Sequence, residues 1–140
     1  MKINVDLNLF IIIINILFFI YFSIQLLVFT DEFALNNLGF FNHAIAGLCE
    51  ILGIIFFSFS IGLIISIYYN YHKQEPFFYS IVLIQLIISI NLWRYVFTNS
   101  PGETDIKTIS FNASIFSFFS ITMIILIYRL KRLLKNMEIK

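Results

Sequence analysis

The chain has 140 residues, of which 60% are apolar and 12% charged, and its mean hydropathy is +0.93. A soluble domain of this size is nearer half apolar and a quarter charged, and it needs that charge to cover a large surface relative to its volume, so both a lone water-soluble globule and a disordered chain are excluded. The net charge of +1 sets up no long-range field for nucleic acid, and the single cysteine, Cys49, allows neither an intrachain disulfide nor a paired-thiol redox motif.

Four apolar stretches follow one another, over 7–29, 44–69, 77–97 and 109–130. Each is close to the ~20 residues that a helix needs to cross a hydrocarbon core of ~30 Å. They run continuously, without the period-two alternation of a barrel strand. In lipid every backbone polar group must be paired internally, so such runs become helices. The expected fold is therefore all-α: a single integral membrane four-helix bundle with antiparallel neighbours and short loops.

The first stretch has Lys2 and Asp6 upstream and no small-x-small cleavage site after it, so it reads as a retained helix rather than a leader. Asp31-Glu32 and Asn36-Asn37-Leu38-Gly39 break it from the second stretch. His72 to Pro76 separate the second from the third, and Pro76 suits a helix's first turn. Asn99-Ser100-Pro101-Gly102 reads as a turn before the fourth. Basic residues lie at Lys2, at Lys73, and at Arg129, Lys131, Arg132, Lys135 and Lys140, whereas the first loop has none. With four spans these flanks fall on one side, which the positive-inside rule makes cytoplasmic, with both termini there.

Inside the spans only Glu50 and Arg94 are clearly ionisable. A charge at a span's centre costs roughly 2.5 to 3.5 kcal/mol on insertion scales. Antiparallel counting places both in the outer half, where opposite charges would satisfy each other. Ala46, Glu50, Gly53, Phe57 and Ser60 share one helical face rich in small residues, the kind that lets membrane helices approach closely, so Glu50 is expected to face the bundle and the second span to be central. Asn91 and Arg94 share a face of the third span, Gln25 lies near the outer end of the first, and Ser110, Asn112, Ser114 and Ser117 make the outer half of the fourth polar. A polar cluster of Gln25, Glu50, Asn91, Arg94 and Asn112 is therefore expected, serving as a structural ion pair with hydrogen-bond glue or as a ligand pocket. Snorkelling of Arg94 to the headgroups is the plainer alternative.

His43 and Glu50 are i, i+7 on a helix, too far apart for one ion, Cys49 is off their face, and structural zinc wants four ligands, so neither a metal nor another cofactor is expected. No phosphate loop or nucleophile elbow is present, no catalytic residue stands out, and an enzyme ranks last. The expected role is a structural or accessory subunit acting through helix contacts; the alternative is a binder or carrier of a small amphipathic or lipid-like ligand near Glu50 and Arg94. The implied partners are the lipid bilayer and other membrane subunits or further copies of the chain.

Gly47, Leu52 and Gly53 in the second span, Arg94 near the end of the third and the Pro101-Gly102 turn together resemble the small four-helix bacterial membrane proteins related to the DoxX-like group. That resemblance implies the four-helix architecture and a bacterial inner membrane. Cys49-Glu50 followed by a helix opened at Pro76 is similar to part of the EXPERA fold of sterol isomerases and the sigma-2 receptor, which implies an apolar ligand held by two buried acids; here one acid, Glu50, lies within a span.

Overall fold

The computed structural model describes residues 6–138 except 100, 101 and 103. Lys2, Lys140, and Ser100, Pro101 and Glu103 of the expected turn and loop lie outside the described residues. Among the described residues there are five α-helices: α1 (Leu7–Leu27), α2 (Thr30–Leu38), α3 (His43–Tyr68), α4 (Glu75–Phe97) and α5 (Ile106–Glu138), with a short 3₁₀ turn at Tyr71–Lys73 between α3 and α4. Four of them, α1, α3, α4 and α5, are long and apolar enough to cross a membrane, and the fold is an all-α membrane bundle.

Local chemistry sets the helix ends. The Asp6 carboxylate accepts from the Asn8 amide at 3.1 Å and caps α1, and Asn42 accepts from the Ile45 amide at 2.9 Å and caps α3, each satisfying one amide that an α-helix leaves unpaired. Pro76 lies in the first turn of α4. The first loop differs from expectation: its polar residues form α2. Asp31 and Glu32 occupy that helix's positive first turn, Gly39 closes it at φ 79°, a conformation glycine adopts without steric cost, and Ala34 packs it down with no exposure.

α1 packs along α3, α4 packs along α5, and the two pairs meet mainly through α1 and α5. α1, not α3, is the most enclosed span: half of its apolar window is buried, against 28% for α3. The expected centrality of the second span is therefore corrected. Close approach at Gly53 does occur, with a Cβ there falling 2.6 Å from Leu27 Cγ and 3.0 Å from Leu26 Cβ. The core is aromatic. Phe18 stacks on Phe119 at 4.2 Å, Phe22 meets Phe116 at 5.1 Å and Phe19 meets Phe56 at 5.5 Å. Outward-facing residues such as Leu17, Leu48, Ile54, Ile87 and Phe118 are apolar and exposed, as a lipid-facing surface requires.

Polar contacts fix which segments share an end. Tyr71 donates to the Asp6 carboxylate, and Arg129 Nε donates to Asn8 Oδ1 at 2.7 Å. The start of α1, the α3–α4 turn and the basic end of α5 thus lie together. Burial, reinforced by the Asp6 carboxylate, pushes the Tyr71 hydroxyl up to about 12. At the opposite end, Thr104 donates to the Asn37 carbonyl at 2.7 Å, tying α2 to the segment before α5.

Candidate functional site

Two polar constellations occupy the interior, and neither is the expected one. The first sits mid-bundle. Asn15 on α1, Gln85 on α4 and Thr122 on α5 are 0%, 0% and 9% exposed. Asn15 Nδ2 donates to Thr122 Oγ1 at 3.1 Å and to the Ile11 carbonyl at 2.9 Å, and Gln85 Nε2 donates to Asn15 Oδ1 at 3.0 Å. Gln85 Oε1 is buried with no hydrogen-bond partner among the described residues. Beside it, Ser89 and Ser117 share a 2.6 Å hydrogen bond, and Trp93 Nε1 donates to Ser117 Oγ at 3.0 Å, so Ser117 of the fourth span joins α4 to α5.

The second is a cavity of about 320 Å³ at the α2 end. Its walls come from all five helices, because α3 and α4 do not run along each other. The Phe77 ring against Gly62 bridges them near the other end, and towards α2 they leave a gap. Phe22, Phe56 and Phe116 line its depth, Ile88 and Leu92 the α4 side, and Phe33, Asn37 and Leu38 of α2 its end. Among the described residues, Asn37 and Asn112 are the only amides in that lining, Cys49 supplies a thiol, and none of the lining residues is charged. Asn112 Nδ2 donates to Asn37 Oδ1 at 2.7 Å, and Asn37 Nδ2 donates to the Phe33 carbonyl at 2.9 Å.

Of the expected cluster, only Asn112 reaches this cavity. Glu50 is exposed on α3 and Asn91 and Arg94 are exposed on α4, while Gln25 is half-buried on α1. The expected Glu50–Arg94 pair is not formed; among the described residues Arg94 instead lies over the Tyr95 ring at 4.8 Å and borders a shallow surface depression with Ile90, Trp93 and Phe97. The reason is helix phase. The inward face of α3 carries Cys49, Gly53, Phe56, Ser60 and Leu63, with the same i, i+4, i+7, i+11, i+14 spacing as the stripe containing Glu50 and the same Gly53 and Ser60. At about 100° per residue, putting Cys49 inward turns Glu50 out.

Asn15, Gln85, Thr122 and Asn37 were not singled out in the sequence. A signal was available for the first three: each is an uncharged polar residue near the middle of an otherwise apolar span, and such residues seek one another in lipid. His43 is exposed in the first turn of α3 and Cys49 is buried, and no group of three metal-ligating side chains occurs among the described residues. No family model, curated protein or solved structure matches the chain.

Proposed function

We propose that this protein binds a small apolar or amphipathic molecule drawn from the bilayer, in the cavity lined by all five helices. The observation that carries this reading is the cavity itself: about 320 Å³, within the range of small-molecule sites and with their mix of apolar walls and a few convergent polar groups. The positive-inside distribution of Lys and Arg supports an orientation with both termini cytoplasmic, which puts the cavity in the outer leaflet. The DoxX-like resemblance supports a bacterial inner membrane.

The test uses the protein reconstituted in bilayers with an apolar photoreactive hydrocarbon, adamantyl diazirine, and maps its adducts by mass spectrometry. Saturable labelling at Phe22, Phe56 and Phe116, lost when Leu92→Trp fills the cavity, is expected. Labelling confined to lipid-facing residues, without saturation, overturns the proposal.

The accessory-subunit reading has its own support in Glu50. A carboxyl on the outward face of α3, seven residues into the span, is costly against lipid alone and becomes favourable against a donor on another helix. Disulfide capture through Gly47→Cys or Ile54→Cys, which flank it, tests that reading; no capture of any neighbouring helix would end it.

A further inference from the structure

The cavity also constrains the kind of molecule it takes. Resting on the binding role proposed above, we infer that the ligand is a single-chain amphiphile with an uncharged, hydrogen-bonding head, such as a long-chain alcohol, and not a fatty acid or a two-chain phospholipid.

Volume sets the chain number. At about 30 Å³ per heavy atom, the liquid share of a water molecule, 320 Å³ holds roughly ten heavy atoms. That is one medium-length tail, and a diacyl lipid carries several times more. Leu38 and Leu52 belong to the lining and are also exposed, at 39% and 47%, so a longer tail leaves past them into the bilayer.

Charge sets the head. Among the described residues no lining side chain is charged, and Glu50 turns away from the space. A carboxylate or phosphate drawn into this apolar volume would lose its hydration with no cation to replace it. The polar groups present are the Asn37 and Asn112 amides. Each amide offers two N–H donors and a carbonyl acceptor. Asn112 spends one donor on Asn37 Oδ1 and Asn37 one on the Phe33 carbonyl, which leaves a donor on each and the Asn112 carbonyl for a hydroxyl. An amide pair of this kind donates to and accepts from a neutral head at once, which suits an alcohol and gives a carboxylate only half of what it needs.

The experiment is competition against the adamantyl diazirine adducts, in reconstituted bilayers at pH 9, by dodecanol, dodecanoate and dodecane. Dodecanol should displace the label at a concentration at least roughly tenfold below dodecanoate. Asn112→Leu should weaken dodecanol relative to dodecane by roughly three- to tenfold, one hydrogen bond's worth, and Asn112→Gln should restore part of the loss. Saturable hydrocarbon labelling retained by Asn112→Leu reports that the cavity is intact. Equal or better displacement by dodecanoate, or by dodecane, overturns the head-group inference while leaving the binding role standing. Absence of saturable hydrocarbon labelling in the unsubstituted protein overturns both.

Discussion

Asn15 and Gln85 share one hydrogen bond, yet their removal should not be equivalent. Asn15→Leu keeps the branched side-chain skeleton and removes the acceptor of Gln85 Nε2. Because Gln85 Oε1 is already unpartnered, the whole Gln85 amide is then stranded in an apolar core. A buried unpaired group costs about 1–3 kcal/mol in soluble proteins, and interhelical bonds in a membrane protein average about 0.6 kcal/mol, so a loss of about 1–2 kcal/mol is expected. Gln85→Met deletes the orphaned carbonyl with the bond and leaves only Asn15 Oδ1 lacking a donor, since Asn15 Nδ2 keeps Thr122 and the Ile11 carbonyl; its net loss should stay below about 1 kcal/mol. The double variant should be no worse than Asn15→Leu alone, giving a coupling of about 0.6 and at most about 1.7 kcal/mol. Reversible unfolding in mixed micelles, followed through Trp93, the single tryptophan, reads all three values. If Gln85→Met costs as much as Asn15→Leu, or if the two losses simply add, the reasoning fails.

Gly53→Leu should destabilise by about 1–3 kcal/mol through overpacking against Leu26 and Leu27, whereas Gly47→Leu, where a Cβ meets nothing within 4 Å, should leave thermal stability unchanged; equal effects would deny the close approach of α1 and α3. Glu50→Gln and Arg94→Gln should act additively on stability, within about 0.3–0.5 kcal/mol, and a double change milder than the sum would reveal a pairing absent from this structure. Tyr71 ionises near pH 10 in an unfolded chain and at about 12 here; a raised value means its contribution is complete below pH 10 and lost as the pH climbs from 10 to 12. Tyr71→Phe should lack that alkaline loss, as thermal melts across the interval will show.

The four spans were legible because lipid leaves a long apolar run only one solution. α1 and α3 ended within two residues of expectation and α4 began two residues earlier. α2 was not legible: its polar composition resembles a loop, and it is a helix because Asp31 and Glu32 match its dipole and Ala34 finds a contact on the bundle. The phase of α3 was hidden for a different reason. When nearly every residue of a span is apolar, hydropathy has no preferred direction around the helix, and the small residues Gly53 and Ser60 fit two stripes offset by three residues. Charge drew attention to Glu50 and Arg94, while the neutral amides Asn15, Gln85, Asn37 and Asn112 take part in cross-helix bonds inside the bundle. The cavity follows from how α3 and α4 diverge, a tertiary angle with no local signature.

The pairing of α1 with α3 and of α4 with α5 divides the chain into two hairpins, each closed by a short segment. Local pairings of this kind form early, and synthesis delivers the α1–α3 hairpin first. Until α4 follows, the Asn15 carbonyl has no cross-helix donor and lies at mid-membrane. Gln85 supplies that donor and Thr122 then receives the Asn15 amide, so the half-made protein carries an unmet polar demand that only its own second half satisfies. Completion of the chain is thereby written into its core: the first hairpin alone leaves one asparagine carbonyl without the donor that Gln85 brings.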